Sequence, residues 1–319
     1  MLSRVADSLY WMSRYLERAE HTARLIDVHL NHVLDQSIVA ESRRQQLLAS
    51  LYVPALEQGI NGDYGLATLL TFDRTRTNTI EGCIAAAREN ARQVREQIST
   101  EMWEQLNQLY LYLNETKMDQ IWADQPHDFY QAVKMGSHLF QGITDSTMNH
   151  GQGWQFIQLG RFIERASAIA RLLDIEWQAL PAETNPAAVA ANHLALLALL
   201  KSCTAFEAYS KVYTANVQPR PVAEFLLLNP EFPHSISFAI GMIQAALNGI
   251  ANSTDHQKGT RVYRLAGRLR AAFEYGQIDE IVSDGLSVYL ANVQAQCRQI
   301  HDAIYQLFIA YPIEEKLTA

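Results

Sequence analysis

Cysteine is scarce in this chain of 319 residues: Cys83, Cys203 and Cys297 stand far apart and odd in number. Isolated thiols make no disulfide frame and suit a reducing compartment. Positive charge is also in deficit, with 26 Lys and Arg against 34 Asp and Glu and a net charge of −8. A nucleic-acid binder needs a concentrated basic face, so that class is not expected. Long apolar runs are missing too. The longest, Pro186 to Leu200, is interrupted by Asn192 and His193 and is too short to cross a bilayer. No cationic, cleavable leader precedes the first helical pattern, so a cytoplasmic protein without a membrane span is expected.

Signature motifs of familiar chemistry are absent as well. There is no His-Glu-x-x-His, no glycine loop ending in Lys to cradle phosphate, and no Gly-x-Ser-x-Gly elbow. The one Glu-x-x-His, Glu231 to His234, contains Pro233 and cannot lie inside a helix as a di-iron bundle site requires. No metal and no cofactor are expected.

Apolar side chains are plentiful, at 48% of residues. A chain of this length can remove roughly three quarters of its extended surface from water. Leu9, Met12, Leu16, Ala19, Ala23, Ile26 and Leu30 recur by three and four, which draws one apolar helical stripe, with Ser3 placed to cap it. The same periodicity predicts helices over 42–58, 64–72, 79–98, 100–114, 127–142, 152–179, 187–214, 221–228, 234–251, 259–275 and 278–309. Breakers between them include Gly62-Asp63, Asn78, Gln125-Pro126, Pro181, Asn185-Pro186, Pro219 and Pro230. No alternating run demands a sheet. The fold expected is all-α, an elongated antiparallel helical bundle forming one domain over 1–319.

One stretch occurs twice. RYLERAEHTARLIDV, from Arg14 to Val28, recurs as RFIERASAIARLLDI from Arg161 to Ile175. Packing requires only a shared apolar pattern, yet Arg14, Glu17, Arg18, Arg24 and Asp27 recur in register as Arg161, Glu164, Arg165, Arg171 and Asp174. A second pair of segments agrees. Ala67 to Asp73 followed by Asn78-Thr79-Ile80 has the layout of Ala223 to Asn229 followed by His234-Ser235-Ile236. An internal duplication is expected, with halves of about 1–147 and 148–319.

On helical geometry Arg14, Glu17, Arg18, His21 and Arg24 share a side opposite much of the apolar stripe, as do Arg161, Glu164, Arg165 and Arg171. Two readings follow. The groups form an Arg–Glu lattice joining the two copies, or they line a polar chamber for an anionic or zwitterionic ligand. Arginine suits carboxylate and phosphate in that chamber, and glutamate an ammonium group. Asp27 and Asp174 lie at the border of the faces, where burial would favour an Arg partner. Arg88, Arg92 and Arg95 make a charged row with Glu89, Asn90 and Glu96 beside it; Arg261, Arg264 and Arg268 make another. Each row is a solvated face or a dock for an acidic partner. Thr144 to Thr147, with Asp145, is a helix stop or part of the chamber's mouth.

The segments around these residues resemble the bacterial alpha-E domain family. They are Ser3 to Trp11, Arg14 to Glu20, Ala87 to Arg92, Ile98 to Glu104, Thr144 to Met148, Gly153-Trp154, Leu159 to Arg165, Ala205 to Tyr209, and Val222 to Leu228 with Phe232-Pro233. The resemblance spans essentially the whole chain. It implies an all-helical bacterial protein of poorly known biochemistry, whose relatives stand beside or fused to a circularly permuted ATP-grasp ligase. The implied role is accessory to ATP-dependent amide or peptide-bond formation, with that ligase as partner. The family's motif residues fall on Arg14, Glu17, Arg18, Arg88, Glu89, Asn90, Arg92, Asp145, Arg161, Glu164 and Arg165.

Three functions are compatible with this sequence. The first is a non-catalytic or co-catalytic partner of a peptide ligase, whose Arg/Glu surface binds the ligase or an amino-acid or peptide ligand. The second is a stand-alone peptide or amide transferase with Glu17 or Glu164 as base, against which the adjacent arginines argue because they depress a carboxylate's pKa. The third is a purely structural helical scaffold.

Overall fold

A computed structural model of the chain describes residues 1–33, 40–54, 62–180, 185–214, 216–252 and 260–310. Among these residues there are fifteen α-helices and no strand, so the fold is all-α. The first half runs α1 Ser3–Val33, α2 Ala40–Ser50, α3 Gly62–Phe72, α4 Ile80–Gln93, α5 Thr100–Glu115, α6 Met118–Ala123 and α7 Pro126–Thr147. The second runs α8 Gln152–Ala179, α9 Pro186–Ser202, α10 Phe206–Tyr213, α11 Pro219–Leu228, α12 Ile236–Asn252, α13 Arg261–Tyr275, α14 Ile278–Asp284 and α15 Leu286–Ile304. No single helix among them is long and apolar enough to cross a membrane.

The two long helices that carry the repeated stretch, α1 and α8, lie against each other at the centre. Packing around them follows one order in both halves. α1 packs on α4 and α7 while α8 packs on α12 and α15; α4 meets α5 and α12 meets α13; α5 meets α7 and α13 meets α15. Local signals agree with this order. Thr79 caps α4 by accepting from Gly82 N at 3.1 Å, and Ser235 takes the same place before α12, accepting from Phe238 N at 3.0 Å. Each cap satisfies an orphan amide of the first turn.

Because α1 has neighbours on every side, its polar face is not at the surface. Leu9, Met12, Leu16, Ala19, Ala23 and Ile26 are buried, but so are Glu17, Glu20, His21, Thr22, Arg24 and Asp27. Glu164, Arg165 and Asp174 of α8 are likewise buried. Amphipathic periodicity marks which face is apolar; it does not say that the other face is wet. The contact is close at Gly160, where a Cβ would overlap the backbone carbonyl of Tyr10.

Several expected elements differ. The 187–214 helix is two, with the chain bent by 117° between α9 and α10 around Thr204, whose φ is +50°. The 278–309 helix is divided at Gly285, φ +105°, a backbone conformation that side-chain-bearing residues rarely adopt. The 79–98 helix stops at Gln93, and a 3₁₀ turn follows over Arg95–Gln97. The six-residue α6 had no periodic signal to announce it. Ser3 lies inside the first turn of α1, whose opening carbonyl is that of Leu2. The expected 42–58 helix ends at Ser50, where the chain turns back on itself; its part beyond residue 54, and the break at Pro181, lie outside the described residues.

Candidate functional site

Where α1 and α8 meet, each Glu-Arg dipeptide pairs with the other. Glu17 accepts from Arg165 at both carboxylate oxygens, at 2.5 Å from Nε and 2.9 Å from Nη2. Glu164 accepts from Arg18 Nε at 2.6 Å and Arg14 Nε at 2.8 Å. Arg161 stands 3.9 Å from Glu17, in the place that Arg14 takes toward Glu164. The same register therefore supplies both partners of a reciprocal clasp. Its outer nitrogens are tied down: Arg18 Nη1 donates to Asn78 Oδ1 at 2.7 Å, and Arg165 Nη1 to the Pro233 carbonyl at 3.1 Å. Arg14 Nη1 reaches His301 Nδ1 at 3.2 Å, and Gln141 donates to Glu17 at 3.3 Å.

Burial alone would raise the Glu164 carboxyl, but Arg14 and Arg18 outweigh it and hold the pKa at about 2. Glu17 is lowered against the same burial penalty by Arg165 and Arg161. Both stay ionised at neutral pH in the field of paired guanidinium groups, so neither is poised as a general base. His21, between them, is driven the other way. Burial holds it neutral with a pKa of about 4 although Glu17 and Glu164 pull upward. Its Nε2 is buried with no hydrogen-bond partner.

The two sides of this clasp differ where the repeated stretches differ in polarity. Where the first has Glu20 and His21, the second has Ser167 and Ala168. On the Glu17 side the space is filled by paired charges: Arg24 donates to Glu20, His138 stands 3.3 Å from Glu20, and Asp27 holds Lys134 at 2.5 Å and His127 at 2.7 Å. On the Glu164 side the small residues leave a cleft of about 290 Å³. Arg14, Arg18, His21, Ser167, Ala168 and Glu164 line it from the central helices, Asn78 and Leu70 from α3 and the turn before α4, and Gln294 and Arg298 from α15.

Ser50 to Val53 close the cleft at the end of α2. The chain turns there through Tyr52 in the left-handed region, φ +57°, while Val53 N reaches back to Leu48 O at 2.9 Å and Tyr52 N to Ala49 O at 3.3 Å. That helix stop usually takes glycine. Tyrosine here costs backbone strain, and its ring is exposed, donating its hydroxyl to Gln294 Oε1 at 2.6 Å with the Arg171 guanidinium 4.8 Å from its centroid.

The expected residues thus divide into three groups. Arg14, Glu17, Arg18, His21, Arg161, Glu164 and Arg165 meet at the clasp. Arg24 and Arg171 stand farther along their helices, the first beside Glu20 and the second donating to the Ala49 carbonyl at 3.0 Å. Arg88, Glu89, Asn90 and Arg92 line neither the clasp nor the cleft, whereas the charge of Asp145 acts on Arg161 at the clasp. Arg88 stacks on Tyr110 and Trp103 and donates to Asn107, Asn90 bonds the Ala86 carbonyl of its own helix, and Arg92 pairs with Glu89 in solvent. Asp145, in the last turn of α7, accepts from Trp154 Nε1 at 2.9 Å. Asp27 takes Lys134 rather than an arginine, and buried Asp174 accepts from Gln178 at 2.7 Å. Sequence reasoning missed Tyr52, Gln294 and Arg298. They sit in no motif, and only folding brings them to the cleft.

The family model for Alpha-E, a predicted alpha-helical domain with a conserved ER motif, matches residues 1–309. The chain has two Glu-Arg dipeptides, at 17–18 and 164–165, and these are the reciprocal pairs. An uncharacterized protein of Mycobacterium bovis and two from strains of Mycobacterium tuberculosis are each 27% identical over 341 residues, 97% of this chain and 37% of theirs. The chain therefore spans a little over a third of the length of the curated relatives it matches. No solved structure matches it.

Proposed function

The chain belongs to the Alpha-E family, and we propose that it is a non-catalytic accessory of an ATP-grasp amide or peptide ligase system. In this reading the reciprocal Glu-Arg clasp is the structural part, locking two duplicated halves together, and the cleft beside it is the working part. The observation that carries it is a charge imbalance. Arg14, Arg18 and Arg298 line the cleft, and among the described residues Glu164 is the one carboxylate facing them. Elsewhere around α1 and α8, Arg24 faces Glu20 and Lys134 faces Asp27, while Arg161 and Arg165 share Glu17. The shared packing order of the halves supports the duplication, and the resemblance of the motif residues supports the ligase as partner. The cleft then holds either a peptide-like ligand or a segment of the ligase.

Two buried carboxylates held ionised by paired arginines weigh against a transferase working alone. The test is copurification with an ATP-grasp ligase encoded beside it, followed by ligase turnover with and without this chain. Association together with a change in turnover is expected. No association and no effect on turnover would overturn the reading.

A further inference from the structure

Resting on that reading, we propose that the cleft takes its ligand by an oxyanion, a carboxylate or phosphate group seated between Arg298 and the pair Arg14 and Arg18, and that it does not take an amino group.

The accounting of donors comes first. Both oxygens of Glu164 already accept from Arg14 and Arg18, whose two positive charges outweigh its single negative one. Each of those arginines also spends Nη1, on His301 with Tyr10 and on Asn78 respectively. Their second terminal nitrogens make no hydrogen bond among the described residues, nor does the guanidinium of Arg298. Among the described residues that line the cleft, three guanidinium groups thus face one carboxylate. An ammonium group entering here would meet uncompensated like charge; an oxyanion would relieve it.

Solvent does not remove the imbalance. The side chains of Arg14 and Arg18 are 13% and 22% exposed, so water screens them poorly compared with an arginine on an open surface. His21 is the second, independent mark. It is buried, it lines the cleft, and its Nε2 has no partner. A neutral imidazole protonated at Nε2 holds a donor that no described residue takes up. Ser167 and the Gln294 amide add neutral polar groups at the wall. At about 290 Å³ the cleft is at the small end of ligand pockets, roughly 300–1,000 Å³. That suits an amino-acid-sized acid or the terminus of a peptide. Strained, exposed Tyr52 gives the rest of such a ligand an aromatic wall.

The other half supplies a comparison. At the matching position Glu20 places a carboxylate against Arg24. The oxyanion in the cleft would do from outside what Glu20 does from within the chain.

The experiment is isothermal titration calorimetry on the isolated full chain, without any ligase. The probes are an N-acetylated dipeptide with a free C-terminal carboxylate, the same dipeptide as its C-terminal amide, the unacetylated dipeptide methyl ester, and inorganic phosphate. The free acid or phosphate is expected to bind, with the amide and the ester weaker by about tenfold or more. Binding should weaken as salt rises, fall about tenfold in Arg298→Gln, and recover only in part in Arg298→Lys. Arg298 is exposed, so its variants report on binding without unfolding the chain. If the acid binds and phosphate does not, the ligand is a carboxylate; the reverse result identifies a phosphate ester. Equal binding of acid and amide, preference for the ester with its free amine, no binding of acid or phosphate at millimolar concentration, or an unchanged affinity in Arg298→Gln would each overturn the proposal. None of these depends on the ligase, whose association is measured separately.

Discussion

Glu164 shows how a single residue links this core to pH. Its carboxyl is held at about 2 against an ordinary 4.5. A depressed carboxylate contributes stability that is present above its unfolded pKa and is lost as pH falls through the folded value. The loss therefore falls between pH 4.5 and about 2. His21, at about 4 against 6.5, acts in the same direction at higher pH, because the unfolded chain gains a proton that the folded one refuses. Urea unfolding midpoints should fall in two stages on acidification, the first between pH 6.5 and 4 and the second below 4.5. Glu164→Gln is expected to destabilise the fold at pH 7 by about 3–5 kcal/mol, since Arg14 and Arg18 lose their shared carboxylate inside the molecule. The second stage should shrink in that variant. An undiminished acid transition would show that the stage belongs to other carboxylates. Glu164, Arg14 and Arg18 were legible in the sequence because they are charged and occur twice in register. Arg298 and Tyr52 were not, since neither charge nor spacing distinguishes them from ordinary surface residues.

At the scale of elements, the contact between α1 and α8 depends on one missing methyl group. Gly160 lies against the Tyr10 carbonyl, which is backbone and cannot swing aside. Gly160→Ala should push the two helices apart at the level of the Glu-Arg pairs. A loss of about 1–3 kcal/mol in denaturant unfolding is expected from the overpacking, even though alanine is the better helix former. A neutral or stabilising outcome would mean that the helices part there at no cost. Most helices could be read from their periodicity, and α8 was read to the residue. The errors lie where one residue turns the chain without disturbing the apolar rhythm, at Thr204 and at Gly285. Periodicity also could not reveal that the polar faces of α1 and α8 are buried. That depends on what packs around them, which a single helix does not encode.

For the whole molecule, the net charge of −8 conceals an interior that is locally positive on one side. The difference between the sides comes from Ser167 and Ala168 standing where the first stretch has Glu20 and His21. Sequence comparison of the stretches showed the substitution, but only the fold shows that it opens a cleft toward α15. Ser167→Glu should undo it. A carboxylate carried on α8 would enter the cleft that Arg14, Arg18 and Arg298 line, and would occupy the space an oxyanion needs. Electrostatic relief of the arginines predicts a thermal midpoint equal to or above that of the parent chain. Occupancy predicts loss of the carboxylate or phosphate binding seen by calorimetry. A variant that folds normally and still binds the anion would place the ligand elsewhere on the molecule. One that unfolds would show that the cleft lacks room for the added side chain, and Ala168→Asp would then carry the same comparison with a smaller group.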